Sequence, residues 1–314
     1  MLKLRYLFEN FDLARLALTC YPHDAASLDK TFSHFRISAN AVYPFFSGGK
    51  LCFLRMAPEE EKSLRHGRAE ADFIERLRQR GYPAMKPLPN DAGEVVWLLD
   101  SSWGRWVVSA FEGVKGRPVE DVPPTPELMY TLGASLAQLH TLASDDRPCP
   151  LPTHVDVLNQ VMSMLRKYCA PQPILARVEE LSRSLAALPV TPGTYGPLHY
   201  DFEPDNVFWD GESFSVIDFD DSMQGWFALD VEKTLDSLYA QWHTDFLAGY
   251  RSVRAFTPEM EAQRALMRQF IDLRHYARLL HCLSEEISGP EWLEGLKVRL
   301  KRALKGLEAR ILAP

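Results

Sequence analysis

The stretch from His199 to Asp221 holds the densest set of side chains able to bind a metal ion or move a proton. It contains six aspartates, two glutamates, one asparagine and one histidine. Carboxylate and carboxamide oxygens are ligands that Mg²⁺ takes in small number, alongside phosphate oxygens and water. A further carboxylate can orient the hydroxyl that attacks a phosphoryl group. The spacing therefore favours phosphoryl transfer from ATP, with Asp201 as the base and Asn206 and Asp218 as magnesium ligands. The alternative is an ordinary polar loop, because Asp and Asn are also common turn residues.

Two short β-prone runs, at 207–209 and 214–217, hold these residues in place. The turn signal Asp-Gly-Glu-Ser at 210–213 separates them, which is typical of a β-hairpin. A hairpin folded about residue 212 brings Asn206 and Asp218 roughly opposite each other. We therefore expect their oxygens to reach one hard cation, with Asp201 on the loop that enters the hairpin.

The rest of the chain changes character near residue 113. Residues 1–30 read as mostly helical, and before residue 113 the pattern also predicts one long helix at 59–80. Residues 112–124 are rich in Gly and Pro and indicate a connection. The fold class is therefore predicted as α+β, with an N-terminal nucleotide-binding lobe at 1–113 and a C-terminal helical catalytic and substrate lobe at 114–314. The predicted strands are 34–37, 41–46, 51–56, 94–99 and 106–111. The predicted later helices begin at the Thr125 cap and cover 155–188, 229–248, 257–287 and 291–312.

Composition and charge exclude several classes of function. A formal net charge of −7 argues against a nucleic-acid binder, which normally presents a basic face. The five scattered cysteines form no Cys-x-x-Cys pair, which indicates a reduced compartment. The charged residues among the first twenty predict an amphipathic helix rather than a signal peptide, and no run of 18 apolar residues occurs. We expect a cytoplasmic protein with no membrane or nucleic-acid partner, whose acidic surround suits a cationic substrate.

The central motif resembles the catalytic signature of the aminoglycoside phosphotransferase and choline kinase-like family. His199-Tyr-Asp201 is followed by four residues and Asn206, and then by a strand that ends in Ile217-Asp218. The resemblance implies a bilobal protein-kinase-like fold that moves the γ-phosphate of ATP to a hydroxyl. By position it implies Asp201 as catalytic base, Asn206 and Asp218 as Mg²⁺ ligands, and His199 as a residue that supports the loop. The sequence departs from the pattern at Tyr200, where the family usually has Gly.

Flanking segments extend the likeness over roughly residues 30–285. The segment 132–140 resembles the family's Leu-Gly-x-x-Leu-Ala-x-Leu-His helix, although His140 itself reads as a structural histidine. The segment 230–235 resembles a helix that opens with Asp. Residues 246–251 resemble a segment of the homoserine kinase-like and stress-response kinase branches.

The family pattern also calls for a cation late in the third strand and a glutamate in the next helix. Arg55 and Glu70 fit these two positions, and a guanidinium held by a carboxylate suits phosphate oxygens. The alternatives are a solvent-facing Arg with a surface Glu, or Glu75 as the partner. Ser38 is expected in the turn that covers the phosphates. Backbone groups from Ser109 to Phe111 are expected to pair with the adenine edge.

These patterns together predict an ATP- and Mg²⁺-dependent phosphotransferase that acts on a hydroxyl of a small molecule. Acceptors of the aminoglycoside, amino alcohol, homoserine or sugar type are all compatible with the sequence. A protein Ser/Thr kinase of the stress-response type is one alternative. A non-catalytic nucleotide-binding scaffold is another, although such a protein has no need of all four residues Asp201, Asn206, Asp218 and Arg55.

Overall fold

An antiparallel sheet built from the first third of the chain packs beside a mainly helical region. The structure is a computed structural model that describes residues 1–144 and 149–313. The strands in these ranges are β1 (Arg36–Ile37), β2 (Ala41–Ser47), β3 (Lys50–Pro58), β4 (Lys86–Leu88), β5 (Val96–Ser101), β6 (Gly104–Glu112), β7 (Arg117–Pro118), β8 (Tyr195–Leu198), β9 (Val207–Trp209), β10 (Phe214–Val216) and β11 (Met223–Trp226). The helices are α1 (Phe11–Leu18), α2 (Leu28–Phe32), α3 (Leu64–Gln79), α4 (Pro126–Ala143), α5 (His154–Lys167), α6 (Gln172–Ala186), α7 (Phe227–Ser237), α8 (His243–Val253), α9 (Pro258–Ala262), α10 (Arg264–Cys282) and α11 (Glu291–Leu312).

The N-terminal sheet has the strand order β1-β2-β3-β6-β4, and β5 also pairs with β6. The β2–β3 hairpin turns at Gly48 and Gly49, which both have positive φ, as a two-residue turn between right-twisted strands requires. Strand β3 therefore lies between β2 and β6. This arrangement puts Arg55 of β3 directly across from Ser109 of β6.

Helix α3 joins the sheet to the helical region. The Ser63 side chain caps its first turn, and the apolar residues Phe73, Ile74 and Leu77 pack into the larger core with the helices of the C-terminal part. A separate small core lies between the sheet and α1 and α2. Because α3 packs with the C-terminal core, its buried Glu70 has a fixed position relative to that part of the chain.

The polar hairpin forms as predicted, with a register that differs by one residue from the expected pairing. Strand β9 pairs with β10 with Val207 opposite Val216, and the N–H of Ile217 donates to the carbonyl of Asn206 at 3.0 Å. Asn206 is thus opposite Ile217, and Asp218 follows one residue later. The outer strand β7 completes this small sheet.

Two helices of the C-terminal part cross at very short range beneath the site. A Cβ atom at Gly133 of α4 would lie 1.9 Å from the carbonyl oxygen of Phe246, and one at Gly249 of α8 would lie 1.8 Å from that of Tyr130. Only glycine permits this approach of two backbones. The crossing brings His140 of α4 against Tyr250 of α8.

The predicted α+β class with a protein-kinase-like arrangement is confirmed, and several predicted boundaries are wrong. The helix expected at 59–80 begins only at Leu64, where Ser63 supplies the cap. The helices expected at 229–248 and 257–287 each divide into two, and residues 1–30 include turns and short 3₁₀ segments besides α1 and α2. Strands β4, β7, β8 and β11 were not predicted, because runs of two to four residues carry little periodic signal. The division at residue 113 stays a prediction. In the described ranges no helix is both long and apolar enough to cross a membrane.

Candidate active site

The loop from His199 to Asn206 is held in shape by one buried carboxylate. Asp230, at the start of α7, accepts backbone N–H bonds from His199 at 2.9 Å and from Tyr200 at 2.6 Å. Its Oδ2 also lies 2.9 Å from Nε2 of His140, whose Nδ1 is 2.7 Å from the Tyr250 hydroxyl. Asp230 and His140 are fully buried. His140 is thus part of the scaffold of the loop, as the sequence indicated.

His199 supports the loop through both of its ring nitrogens. Nε2 lies 3.0 Å from the carbonyl of Ile217 and therefore donates, while Nδ1 accepts from the N–H of Asp201 at 3.2 Å. Burial lowers the pKa of this imidazole, which favours the neutral ring that such a pair of bonds requires. His199 thereby ties the loop that carries Asp201 to the strand that precedes Asp218.

The three residues predicted to carry the chemistry meet in one cleft of about 1000 Å³. The side-chain nitrogen of Asn206 donates to Asp201, at 3.0 Å to the carboxylate and 3.0 Å to the backbone carbonyl. The amide oxygen of Asn206 is consequently left as an acceptor. Both Asp201 and Asp218 line the same cleft. The structure therefore brings Asp201, Asn206 and Asp218 together, as the motif spacing predicted.

Asp218 presents an accessible carboxylate to the cleft, close to other negative charges. Its backbone is left-handed, with φ of 60°, and 42% of its side chain is open to the cleft. Enclosure by the surrounding protein raises its pKa to about 7, and the nearby negative charges of Asp220 and Asp201 act in the same direction. In residues 1–144 and 149–313 no group of three or more His, Cys, Asp or Glu side chains could hold a metal by itself. Asn206 and Asp218 offer two oxygens, the kind of small set that Mg²⁺ combines with phosphate oxygens.

Arg55 and Glu70 form the buried pair that the sequence predicted. Two parallel bonds of 2.7 Å join the guanidinium to the carboxylate, and Glu75 is not the partner. Burial by itself would lower the pKa of Arg55, but the charges of Glu70 and Asp220 outweigh it and raise the pKa. Arg55 Nη1 lies 3.9 Å from Asp218, so the guanidinium is held beside the carboxylate that the motif predicts as a metal ligand.

Lys62 adds a second cation that sequence reasoning missed. Its ammonium lies 3.0 Å from Glu70 and forms a close ion pair with Asp220. Burial would raise the pKa of Asp220, but Lys62 and Arg55 hold it far below its ordinary range. Asp220 is therefore committed to these cations. No local spacing could reveal this contact, since Lys62 and Asp220 are 158 residues apart.

The turn at 38–40 lines the cleft, and its predicted contact with phosphates stays a prediction. Ser38 is exposed and lines the cleft, and its N–H donates to the carbonyl of Asn40 at 3.0 Å. The Asn40 side chain donates to Asp220 at 3.1 Å, which anchors the turn to the loop after Asp218. Ser38 is thus positioned near the predicted metal ligands without depending on a glycine-rich sequence.

The structure corrects the expected adenine contacts. Ser109 and Phe111 each lie between two paired strands, so their backbone groups face the sheet ladders and have no free edge. The Ser109 hydroxyl accepts from Arg55 Nε at 3.3 Å, and the residue lies outside the cleft lining. Phe111 does line the cleft through its ring, 4.7 Å from the Arg55 guanidinium carbon. The ladder continues to Gly113, whose N–H donates to the carbonyl of Leu51 at 2.8 Å. Val114, the next residue, also lines the cleft and is the better candidate for a polar contact with a base.

Tyr200, the departure from the family pattern, adopts the left-handed conformation that glycine would take easily. Its φ is 67°, and its ring is buried with the Arg274 guanidinium carbon 3.9 Å from the ring centroid. Arg274 and Arg278 in turn hold Asp221, Arg274 at 2.9 Å. The unfavourable backbone is therefore offset by aromatic packing against α10.

We expect Tyr200→Gly to destabilise the protein by about 2 kcal/mol. Relief of the left-handed backbone returns about 1–2 kcal/mol, whereas removal of a buried aromatic ring costs about 3–5 kcal/mol. Urea denaturation followed by circular dichroism measures the change. Tyr200→Ala is the matched control, since it loses the ring but keeps the backbone strain and should lose more stability than glycine. A more stable Tyr200→Gly protein would contradict the packing account.

Helix α10 and Arg310 of α11 form a further part of the cleft lining. Ile271, His275 and Leu279 line the cleft from one face of α10, and Arg310 of α11 is held by Asp272. Burial, then the charges of Arg278 and Lys233, lower the pKa of His275 to about 4. This part of the cleft therefore presents a neutral imidazole between two aliphatic side chains.

Known proteins share this architecture and sequence. The sequence profile of the phosphotransferase enzyme family matches residues 45–266, more than half of the chain. The chain belongs to this family. It is 24% identical over 256 residues to an amicoumacin kinase of Bacillus subtilis (strain 168), covering 75% of each chain. It is 30% identical over 228 residues to a homoserine kinase of Parvibaculum lavamentivorans, covering 67% of this chain and 68% of the relative.

A solved structure of an amicoumacin kinase in complex with AMP-PNP and Ca²⁺ has the same fold. It superposes with a TM-score of 0.77 at 19% identity, and the match covers 96% of this chain and 95% of the other. The resemblance predicted from the catalytic motif is therefore confirmed at the level of family and fold.

Proposed function

We propose that this phosphotransferase moves the γ-phosphate of ATP to a hydroxyl of a small, amine-bearing molecule. The observation that carries the proposal is the meeting of Asp201, Asn206 and Asp218 in one cleft beside the buried Arg55–Glu70 pair. These are the parts that phosphoryl transfer needs, namely a carboxylate for the hydroxyl, oxygen ligands for magnesium and a fixed cation for the phosphates.

We propose one orientation of ATP in the cleft. The side chains of Val42, Phe53, Phe111 and Ile217 form apolar walls at the end near Val114, where a purine would lie. The phosphates would then run toward Arg55 and Ser38, and the γ-phosphate toward Asp218 and Asp201. In this proposal residues 1–113 bind most of the nucleotide, and residues 114–314 supply the base, the metal ligands and the acceptor site.

The reaction breaks the bond between the γ-phosphorus and the oxygen that bridges it to the β-phosphate. The acceptor oxygen forms the new bond to phosphorus, its proton passes to Asp201, and ADP leaves with the electron pair of the broken bond. Magnesium held by Asn206 and Asp218 would neutralise charge on the phosphate oxygens. Arg55 stays charged throughout because Glu70 and Asp220 raise its pKa.

The acceptor end favours a small amine over a protein. The two relatives described above are named as kinases of small molecules, amicoumacin and homoserine. Asp205 lines the cleft in the same loop as Asp201, and within the described parts of the chain it makes no hydrogen bond or ion pair. Such a carboxylate suits an ammonium group. Homoserine, named in the relative above, carries both an amine and a hydroxyl.

We expect Asp205→Asn to raise KM for amine-bearing acceptors about 10- to 100-fold, the equivalent of one lost charge-assisted hydrogen bond of about 1.5–3 kcal/mol. KM for ATP should remain within twofold of wild type, because in this proposal Asp205 contacts the acceptor and not the nucleotide. Steady-state kinetics with each substrate varied in turn measures the split. An equal rise in KM for amine-bearing and amine-free acceptors would show that Asp205 does not bind the amine.

A substrate panel assayed by ADP release tests the proposed function. The panel should contain homoserine, other amino alcohols, choline, aminoglycosides and sugars, with a protein mixture and autophosphorylation as separate arms. We expect ADP release that depends on an amine-bearing alcohol. Transfer of labelled phosphate to protein alone would instead favour the protein kinase alternative. If Mg²⁺ and AMP-PNP did not raise the melting temperature, both kinase proposals would be contradicted.

A further inference from the structure

Lys233 places a positive charge beside the catalytic carboxylate. Its ammonium lies 3.4 Å from Asp201 Oδ1 and forms a close ion pair with Glu203, two residues further along the loop. The side chain is 19% exposed, and that surface faces the cleft. In the described parts of the chain, Lys233 is the one cationic side chain within 4 Å of the Asp201 carboxylate.

The attachment of α7 to the catalytic loop does not require Lys233. Asp230 already binds two loop N–H groups, and the Thr234 hydroxyl donates to the carbonyl of Phe202 at 2.9 Å. These two buried residues flank Lys233 on the same face of the helix. They fix the backbone position of Lys233, and its ammonium extends past them to the cleft.

Among the described residues, no other lysine or arginine in or beside the cleft lies within 4 Å of the Asp201 carboxylate. Arg36 of β1 lines the cleft as an exposed side chain with no carboxylate partner among those residues. Arg55 uses both terminal nitrogens on Glu70 and lies on the Asp218 side. Lys62 is paired with Glu70 and Asp220, and Arg274 and Arg278 are paired with Asp221. The phosphoryl group in transfer must lie between Asp218, which faces the metal, and Asp201, which faces the acceptor hydroxyl. Lys233 is the cation on the Asp201 side of that position.

We propose that Lys233 is a further catalytic residue whose ammonium contacts the γ-phosphoryl group during its transfer. This inference rests on the proposed function. As the acceptor oxygen bonds to phosphorus and its proton moves to Asp201, negative charge is spread over the three phosphoryl oxygens. An ammonium already in place stabilises that charge without reorganisation, which is worth most in an enclosed site. Glu203 holds the ammonium in position, and Lys233 itself neither gains nor loses a proton.

A phosphoryl mimic tests the contact without knowledge of the acceptor. Isothermal titration should compare Mg²⁺-ADP with Mg²⁺-ADP plus tetrafluoroaluminate, whose planar anion stands in the place of the transferring group. We expect Lys233→Met to bind Mg²⁺-ADP as wild type does and to lose about tenfold or more of the extra affinity that the fluoroaluminate provides. A merely structural lysine would affect both complexes equally or neither.

Kinetics provide the second measurement. With an acceptor found in the panel, Lys233→Met should lower kcat by about 10²-fold, the size of one lost electrostatic contact to a transition state, with KM for ATP within threefold. Lys233→Arg keeps the charge and should recover most of the rate. Lys301→Met, which removes an exposed lysine of α11, is the matched control and should match wild type. Melting temperatures of all variants should agree within a few degrees.

The outcomes separate the two proposals. If wild type binds the mimic and releases ADP, but Lys233→Met equals it in both measurements, Lys233 has no catalytic contact and the proposed function stands. A Lys233→Arg protein as slow as Lys233→Met would also overturn the charge argument. If wild type binds neither Mg²⁺-ADP nor the mimic and phosphorylates no acceptor, the proposed function fails, and the inference about Lys233 fails with it.

Discussion

Replacement of Asp201 by asparagine is expected to lower kcat by about 10³-fold, within the range that a positioned general base contributes. The substitution keeps the size of the side chain and an oxygen that can accept from Asn206, now 3.0 Å away. It removes the negative charge that, in the proposed reaction, receives the proton of the acceptor hydroxyl. Binding of Mg²⁺-AMP-PNP should change little, because Arg55 and Glu70 remain in place.

Single-turnover transfer and nucleotide titration together check this prediction. Asp210→Asn is the matched control, since Asp210 is an exposed aspartate that caps the turn of the same hairpin and asparagine suits that position equally. Its rate should equal that of wild type. An Asp201→Asn enzyme with more than a tenth of the wild-type kcat would exclude Asp201 as the base.

Removal of the Asp230 carboxylate is expected to have the largest effect on stability. Asp230→Ala leaves the N–H groups of His199 and Tyr200 and the imidazole of His140 without their acceptor in a fully buried position. Each buried group left unpaired costs about 1–3 kcal/mol, so the free energy of unfolding should fall by about 3–5 kcal/mol. The loop that carries Asp201 should lose its shape at the same time, and activity with it.

Chemical denaturation measures the loss, and Asp236→Ala serves as its control. Asp236 lies on the same helix and pairs with Arg268, but 46% of its side chain is exposed. A surface ion pair of this kind contributes about 0–1 kcal/mol. Asp230→Asn retains one acceptor oxygen. Its loss in free energy of unfolding should therefore lie between the losses for Asp230→Ala and Asp236→Ala. A loss below 1 kcal/mol for Asp230→Ala would mean that the loop is held by other contacts.

The catalytic motif could be recognised from sequence because its determinants are close together in the chain. Asp201, Asn206 and Asp218 span one loop and one hairpin, and turn chemistry at 210–213 fixes how that hairpin folds. The cap at Thr125 could be predicted for the same reason, since N-cap geometry involves residues three apart. Family, fold class and most elements followed from such short-range signals.

Tertiary structure decided what lies around the motif. The Ser109 backbone was expected to contact adenine, yet it faces sheet partners on both sides, and strand order cannot be read from one strand. Tyr200 contradicted the family pattern in sequence, and only the packing of Arg274 over its ring explains how the chain tolerates it.

The ion pairs of Arg55, Lys62 and Lys233 also show which contacts can be predicted from sequence and which cannot. Arg55 and Glu70 were paired by the family pattern, 15 residues apart. Lys62 and Lys233 carry no motif of their own, and their partners Asp220 and Glu203 lie 158 and 30 residues away. Periodicity and turn chemistry act over a few residues, whereas an ion pair depends on where the whole chain places two charges. The sequence alone therefore determined the acidic centre of the site, and the packing of α3 and α7 against it determined which lysines it meets.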